Sequence, residues 1–374
     1  MVSTTSCAVA DRVIGPGHPL FFIAEIGLNH NQDLDLAREL IDVAARAGCS
    51  AAKFQTFRAE DVYVEGKRAG TYHLMGQEIP IFDLHKELEM SEEWVRLLKS
   101  HCDKRDIIFF SAPIGAHALA ILTKVNTPAL KISSYELTNL PFVREVANVA
   151  PAIILSTGAA NLGEIEEAIQ VIQQAGCPLA IMHCVTEYPA PLHHANLAAM
   201  GTMRSAFGLP TGFSNNGFRL PDGQIDKLQV PLAAAAAGAD LFEIHITTDR
   251  NLPGPDHGFA TEPEELRQMV LVMNTLRTDY NAGGRPEVDP VLWGSASKRT
   301  LDSEVYVRDF AFKGLFAIAD IAQGERLTAE NIRALRPGEG MQGIAPKYLE
   351  ILLGKTARTS ISAWDPITWD SLLG

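Results

Sequence analysis

The chain has 374 residues, of which 47% are hydrophobic and 21% are charged, a composition typical of a folded globular protein of about two domains. Its formal net charge of −13 argues against general binding of nucleic acids and against adhesion to an anionic membrane surface. An anionic small molecule could bind only in a locally basic pocket.

The five cysteines are widely scattered, and no two of them have Cys-x-x-Cys spacing. Their odd number fits reduced thiols better than a disulfide framework. We see no positively charged segment followed by a long apolar run at the N-terminus, and no run long enough to cross a bilayer. We therefore expect a cytoplasmic protein.

Short apolar runs alternate with helical patterns from residue 21 to residue 280. The first run, "FFIAEIG", is typical of a strand buried on both faces, and the residues after it form one apolar helical stripe. Seven further runs predict strands at residues 51–55, 107–113, 129–133, 152–157, 179–185, 211–214 and 241–247. Eight strand–helix units in a row predict a (β/α)8 TIM barrel. A doubly wound open sheet is the alternative, but no glycine-rich phosphate fingerprint follows the first strand.

The pattern changes after Tyr280. The stretch "NAGGRPEVDP" is typical of a linker, and strand-and-turn patterns follow from about Ser303. Within them, residues 319–332 resemble residues 359–372, which indicates a small pseudo-symmetric domain. We predict a barrel domain at residues 1–285, a linker at 286–302 and a second domain at 303–374.

Active sites of (β/α)8 barrels lie at the C-terminal ends of the strands, so the polar residues at the predicted strand ends are the candidates. A Ser or Thr there usually caps the next helix, and His183 is as well explained as a core histidine. Lys53 and Lys131 stand out because a lysine in an apolar strand costs several kcal/mol unless it is paired. Glu25 and Glu136 are the expected structural partners.

Two inward lysines among hydroxyl groups form a site for phosphate or carboxylate. A lysine in a dry barrel could instead form a Schiff base, as in aldolases. The sequence alone leaves both readings open.

Several motifs, taken in order, resemble the sialic acid synthase family. They are "AEIGLNHN", "KFQ", "KISSYE", "LSTG", "HCVTEYPAP", "GADLFEIH" and "GPDH". The second domain resembles the antifreeze-like (SAF, β-clip type) domain of these enzymes, including "RPGEG". The resemblance covers nearly the whole chain.

The resemblance implies condensation of phosphoenolpyruvate with an N-acyl amino sugar or related aldose, which gives a 2-keto-3-deoxy sugar acid and phosphate. It also implies a domain-swapped homodimer. The implied phosphoenolpyruvate ligands are Lys53, Ser111, Lys131, Ser134, Ser156, Thr186 and Ser214. The residues implied to face the acceptor sugar are Glu25, Tyr188, Asp256 and, reaching the other subunit, Arg336. Asn215 is a further predicted substrate-binding residue. Glu136 is the candidate for proton transfer, and Glu25, Glu136, Lys53 and Lys131 form the implied catalytic set.

The stretch "GFSNN" departs from the family pattern, which usually reads Ser-Asp-His at this point. That histidine ligates a divalent metal together with one that matches His245. Here Asn215 replaces the aspartate and Asn216 the histidine, and an amide oxygen is usually a weaker transition-metal ligand than imidazole.

Three hypotheses follow from this replacement. Mn²⁺ or Mg²⁺ still binds weakly through His245 and Asn216, or the condensation needs no metal, or the activity has been lost. A specialised synthase with an altered acceptor is the favoured interpretation. A Schiff-base aldolase and a non-catalytic homologue that binds phosphoenolpyruvate or sugar are the alternatives.

Overall fold

The computed structural model describes residues 6–65, 69–74, 77–338 and 340–372. Eight parallel strands form a closed barrel in which each strand pairs with its neighbour along the chain. They are β1 (Phe21–Gly27), β2 (Ala51–Phe57), β3 (Ile108–Ile114), β4 (Leu130–Ile132), β5 (Ile153–Ser156), β6 (Leu179–Cys184), β7 (Thr211–Asn215) and β8 (Leu241–His245). The last strand closes onto the first, with His245 opposite Glu25. The predicted TIM barrel is confirmed, and the open sheet is excluded.

One barrel helix follows each strand and packs on the outside of the barrel. The helices are α1 (Leu34–Ala47), α2 (Glu92–Lys104), α3 (Ala116–Lys124), α4 (Leu140–Val149), α5 (Leu162–Gln174), α6 (Ala198–Phe207), α7 (Gln229–Ala236) and α8 (Pro263–Asn281). Local chemistry fixes their ends. At α1, the Asp33 side chain accepts hydrogen bonds from two free amides at the start, and Gly48 ends the helix with a φ of 86°, a conformation that favours glycine.

Shorter elements decorate both ends of the barrel. A hairpin of Cys7–Val9 and Arg12–Ile14 packs against the bottom. At the top, an insertion between β2 and α2 carries helix Ala59–Val62, a hairpin of Thr71–Leu74 and Gln77–Pro80, and helix Ile81–Glu87. The remaining short pieces are strands Ala190–Pro191 and Phe218–Arg219 and the 3-10 turns Ser134–Glu136, Leu192–His194 and His257–Phe259.

The second domain is a small β-rich unit whose two repeats face each other. Its elements are helices Val305–Ala311 and Leu349–Leu352, strands Gly314–Ala317 and Ile332–Leu335, and 3-10 turns Asp302–Glu304, Pro346–Tyr348 and Trp369–Ser371. The short helix Pro290–Trp293 lies before it in the predicted linker and packs on the barrel. Ile321 and Ile361 hold equivalent places in the two repeats, and each donates its amide to the other's carbonyl, at 2.8 and 2.9 Å. This reciprocal pairing is the pseudo-two-fold symmetry that the internal repeat predicted.

The second domain lies on the C-terminal end of its own barrel. The linker runs along the barrel surface, where the carbonyl of Ala296 accepts a hydrogen bond from Thr202 Oγ1 at 2.7 Å. Lys313 Nζ then reaches into the barrel and lies 2.8 Å from Glu136 Oε1, with both side chains buried. The backbone amide of Arg336 donates to the carbonyl of Val62 at 2.7 Å. The domain therefore covers the end of the barrel where the strands point their polar residues.

This arrangement differs from the expectation that Arg336 serves another subunit. Arg336 lies in the cavity of its own chain, because the linker and Lys313 hold the domain there. Exchange of the domain between subunits stays a prediction.

All five cysteines are buried free thiols. Within the described ranges, no helix is both long and apolar enough to cross a membrane.

Candidate active site

A cavity of about 390 Å³ opens at the C-terminal ends of the barrel strands and is covered by the second domain. Eleven of the fifteen side chains predicted from the sequence line it. They are Glu25, Lys53, Lys131, Ser134, Ser156, Tyr188, Ser214, Asn216, His245, Asp256 and Arg336. The strand ends and the second domain thus bring together residues that are up to 311 positions apart in the chain.

The floor of the cavity is a chain of alternating charges. Lys131 Nζ donates to both carboxylate oxygens of Glu243, at 2.9 and 2.8 Å. Lys53 Nζ lies 2.6 Å from Glu25 Oε2 and 3.7 Å from Glu243 Oε1. The expected pairing of a floor lysine with Glu25 is present, but the other carboxylate is Glu243 on β8 rather than Glu136.

The charges of the floor shape one another's pKa values. Burial opposes ionisation of Glu243, but Lys131 and Lys53 outweigh it and lower the pKa of that carboxyl to about 2. Burial also opposes the charge on Lys53, yet Glu243 and Glu25 together raise its pKa. For Lys131, burial and the neighbouring Lys53 outweigh Glu243, and its pKa is lowered. An incoming anion therefore competes with Glu243 for two adjacent cations.

The hydroxyl groups of Ser134, Ser156 and Ser214 line the cavity beside the lysines and are called the hydroxyl ledge below. Ser214 Oγ donates to Glu243 Oε1 at 3.1 Å, and Ser134 Oγ accepts from the amide of Gly158 at 2.9 Å. A Cβ on Gly158 would lie 2.5 Å from the Thr186 methyl group, so only glycine lets the loops after β4, β5 and β6 meet. Hydroxyls and ammonium groups in this arrangement suit phosphate or carboxylate oxygens.

Four predicted site residues do not line the cavity, and each has another partner. Thr186 donates its amide and its hydroxyl to Glu304 Oε1 of the second domain, at 2.8 and 3.0 Å. Ser111 Oγ bonds to Thr56 Oγ1 at 2.8 Å. Glu136 pairs with Lys313 and accepts from Asn139 Nδ2 at 2.9 Å. Glu136 is therefore a contact between the domains in this structure, away from the space where reactants fit.

The two adjacent asparagines have different surroundings. Asn215 Oδ1 accepts from the amide of Gly217 at 2.8 Å and so closes the turn after β7. Asn216 lines the cavity, and its Nδ2 donates to the carbonyl of Val185 at 2.8 Å and to Cys184 Sγ at 3.1 Å. Because a backbone carbonyl only accepts, the amide nitrogen faces Val185, and Oδ1 is the atom left for a ligand.

His245 stands near Asn216 at the end of β8. Its Nδ1 is buried without a hydrogen-bond partner and lies 3.7 Å from Asp256 Oδ2. Burial raises the pKa of Asp256, and nearby Glu25 adds to that direction. No cluster of three His, Cys, Asp or Glu suited to a metal ion occurs among the described residues. One imidazole, one carboxylate and one amide oxygen do not fit a tight transition-metal site.

The roof of the cavity comes from the insertion after β2 and from the second domain. Arg336 Nη1 donates to Tyr63 Oη at 3.0 Å, and its guanidinium carbon lies 4.6 Å from the centre of the Tyr135 ring. Burial, and then Arg336, lower the pKa of His85 to about 4, so His85 is neutral at pH 7. The apolar part of the roof and walls consists of Leu28, Ile81, Leu84, Phe259, Val307 and Phe310.

Most residues of the roof cannot be predicted from the rule that site residues lie at the C-terminal ends of barrel strands. Tyr63 and His85 lie in the insertion after β2 and Phe310 lies in the second domain, away from any predicted strand end, and no local pattern marks them as cavity residues. Glu243, by contrast, is a polar residue of the predicted strand at 241–247 and so meets the strand-end criterion, which does not assign it a role. Its alternation with inward His245 along β8 was the available signal.

The model of the NeuB family matches residues 40–284, and that of the SAF domain matches residues 312–373. The spore coat polysaccharide biosynthesis protein SpsE of Bacillus subtilis is 38% identical, with 98% of this chain and 96% of SpsE aligned. Its crystal structure superposes with a TM-score of 0.87 over 99% of both chains.

Two further relatives have names that describe an activity. The N,N'-diacetyllegionaminic acid synthase of Campylobacter jejuni is 34% identical over 90% of this chain and 95% of its own. The N-acetylneuraminic acid synthetase of Leptospira borgpetersenii, solved with citrate, is 31% identical and has a TM-score of 0.67 over 80% of this chain and 94% of its own. This chain therefore belongs to the NeuB family and carries a SAF domain at its C-terminal end.

Proposed function

We propose that this protein condenses phosphoenolpyruvate with an aldose of the N-acyl amino sugar class to give a 2-keto-3-deoxy sugar acid and phosphate. The observation that carries the proposal is the pair of buried ammonium groups, Lys53 and Lys131, beside the hydroxyl ledge. Phosphoenolpyruvate carries both a carboxylate and a phosphate, and two adjacent lysines neutralise such a polyanion. Membership of the NeuB family and the names of its synthases support the same reaction.

The chemistry uses both parts of the cavity. The methylene carbon of phosphoenolpyruvate attacks the aldehyde carbon of the acceptor, and a carbon–carbon bond forms while the aldehyde oxygen gains a proton. Water adds to the adjacent cationic carbon and loses a proton, and the resulting tetrahedral centre expels phosphate. Lys53 and Lys131 stabilise the negative oxygens throughout. Proton transfer falls to a carboxyl group that lines the cavity, Glu25 or Asp256, since Glu136 is held by Lys313.

The acceptor would occupy the upper cavity. Tyr188, Asp256 and Arg336 supply hydrogen bonds there, and the apolar wall formed by Leu84, Phe310 and their neighbours suits the methyl groups of acyl substituents. We also propose a homodimer, as the resemblance implies, with the SAF domain covering the active site.

The test is phosphate release from phosphoenolpyruvate with a panel of aldoses, including N-acetylmannosamine, diacetamido sugars and phosphosugars. We expect release with one class of acceptor and none without an acceptor. Lys53→Met should reduce the rate at least about a thousandfold, because it removes one of the two cations that stabilise the departing phosphate. Lys124→Met is the matched control, since Lys124 is an exposed lysine on α3. Equal rates for the two variants would contradict the proposal.

A Schiff-base aldolase is the second candidate, because the lowered pKa of Lys131 favours a nucleophilic amine. Its contact with both oxygens of Glu243 works against that role. Borohydride in the presence of a keto acid distinguishes the two, since only a Schiff base leaves a covalent adduct on a lysine. Binding of phosphoenolpyruvate with no turnover of any acceptor would instead support the non-catalytic alternative.

A further inference from the structure

We propose that Asn216 and His245 of this chain bind the acceptor sugar directly by hydrogen bonds. No transition metal binds tightly at the position between them. The inference rests on the proposed function for the identity of the acceptor. The claim that no transition metal binds tightly depends only on the side chains present, and it can be tested without measuring turnover.

The first step is the orientation of Asn216. Both hydrogens of its amide nitrogen are used, one by the carbonyl of Val185 and one by Cys184 Sγ. The side chain is 6% exposed and held on two sides, so it cannot turn without leaving that carbonyl unpaired. Only Oδ1 is available to the cavity, as a neutral acceptor for a hydroxyl or amide hydrogen of the sugar.

The second step is the state of the neighbouring carboxylates. Glu25 is held by Lys53 at 2.6 Å and by Gln55 Nε2 at 2.9 Å. Glu243 is held by Lys131 through both oxygens. Drawing either carboxylate towards a metal at His245 would leave a buried lysine unpaired, which is costly. Among the described residues near His245, Asp256 is the one carboxylate that does not pair with Lys53 or Lys131.

The third step is the buried imidazole. His245 Nδ1 has no partner and lies too far from Asp256 Oδ2, at 3.7 Å, for a good hydrogen bond. An unpaired buried nitrogen beside a cavity is poised to bind a group that enters it. A hydrogen bond from His245 to the aldehyde oxygen polarises the carbonyl, and Asn216 Oδ1 accepts from a neighbouring group of the sugar. Together they orient the aldehyde over phosphoenolpyruvate.

The experiment is a titration of Mn²⁺ into the full-length protein, followed by calorimetry or by the electron paramagnetic resonance signal of free Mn²⁺. We expect weak or no stoichiometric binding to the natural chain. Asn216→His restores a second imidazole and should tighten Mn²⁺ binding by more than about tenfold, as expected for adding a ligand. Asn216→Asp is a nearly isosteric second variant that should act in the same direction. The control is Asn281→His, which adds a histidine at the exposed end of α8.

A second readout tests the hydrogen-bond role. Phosphate release by the natural chain should survive chelator, and Asn216→Ala should raise the KM for the acceptor while leaving the affinity for phosphoenolpyruvate unchanged. One tight Mn²⁺ site per natural chain, or loss of release with chelator, would overturn the proposal. Failure of both cavity variants to gain Mn²⁺ affinity while remaining folded would overturn it as well. If no acceptor is turned over but the Mn²⁺ titrations give the expected affinities, the proposed function fails and the inference about the metal position stands.

Discussion

The floor and the roof of the cavity recognise ligands by opposite means. The floor consists of Glu25, Lys53, Lys131 and Glu243, all on barrel strands and at most 5% exposed. The roof consists of Tyr63, His85, Phe310 and Arg336, from an insertion and from the second domain. The floor offers fixed charges in a rigid frame, whereas the roof offers apolar surface with one cation held against aromatic rings.

This difference indicates how one site can keep its reaction with the shared reactant and accept a different acceptor. Charges buried on strands are coupled to one another, so that no floor residue can change without disturbing its partners. Roof residues lie in an insertion and on a separate domain, where substitutions disturb less of the barrel core. We therefore expect the floor to determine the shared reactant and the roof to determine the acceptor.

Lys131→Met should have the largest effect of the predicted variants. It removes a cation of the floor and leaves Glu243 as a buried, partly uncompensated charge, which costs about 3–5 kcal/mol of stability. Phosphate release should fall by at least about a thousandfold. The double variant Lys131→Met/Glu243→Gln separates the two effects, because it should regain much of the stability and none of the activity. Recovery of activity in the double variant would contradict the role of Lys131. Urea denaturation and phosphate release measure both.

Arg336→Ala should affect the acceptor and spare phosphoenolpyruvate. The guanidinium is the charged donor of the roof and is kept in place by Tyr63 and Tyr135. Its loss should lower kcat/KM for the acceptor by about tenfold to a hundredfold, the value of a charge-assisted hydrogen bond. Binding of phosphoenolpyruvate, followed by calorimetry, should not change. Arg333→Ala is the control, because Arg333, on the strand that ends just before Arg336, pairs with Asp61 and does not line the cavity.

The same variant tests which subunit the second domain serves. Arg336→Ala and Lys131→Met chains are mixed after partial unfolding and refolded together. If each SAF domain covers its own barrel, every site carries one lesion, and the mixture is no more active than its share of Arg336→Ala chains alone. If the domains are exchanged in a dimer, some mixed dimers contain one intact site and activity returns. Recovery is the outcome that a domain-swapped homodimer predicts, and no recovery is the outcome that the contacts of Lys313 and Arg336 within one chain predict.

Glu136 joins the barrel to the second domain through Lys313, and its substitution should affect stability more than the rate of the reaction. Lys313 and Glu136 are 2% and 0% exposed, so Glu136→Gln leaves a lysine buried without its counter-charge. We expect a loss of about 3 kcal/mol in the free energy of unfolding. In Glu136→Gln/Lys313→Met most of that loss should be recovered, together with activity. If the double variant is stable but inactive, Glu136 takes part in proton transfer as the resemblance implied.

The floor could be foreseen from the sequence, and the reasons are physical. A lysine within an apolar strand is costly, so Lys53 and Lys131 indicated a site before any contact was known. The barrel topology then placed both at the same end. Glu243 as the shared partner could not be chosen over Glu136, because both are acidic residues on or just after a predicted strand, and only the fold decides which one faces the lysines. Thr186 was assigned to the ligand because the sequence gives no sign that Glu304, 118 residues away, takes its hydroxyl.

Lowering the pH should weaken the roof before it affects the floor. Burial, and then Arg336, depress the pKa of His85 to about 4, below its ordinary value of 6.5. The unfolded chain therefore binds a proton at His85 before the folded chain does, and stability falls as the pH drops below about 6.5. The pKa of Glu243 is lowered to about 2 from 4.5, so its contribution to stability is complete above about pH 4.5 and is lost only below it.

Between these two ranges, His85→Gln should make stability less dependent on pH, by up to about 1 kcal/mol per pH unit. His117→Gln, which changes an exposed histidine on α3, is the matched control. Urea midpoints at pH 7, 6 and 5 measure both variants. An unchanged slope in His85→Gln would mean that the roof already admits water around His85, in which case the apolar wall would exclude too little solvent to select for acyl groups on the acceptor.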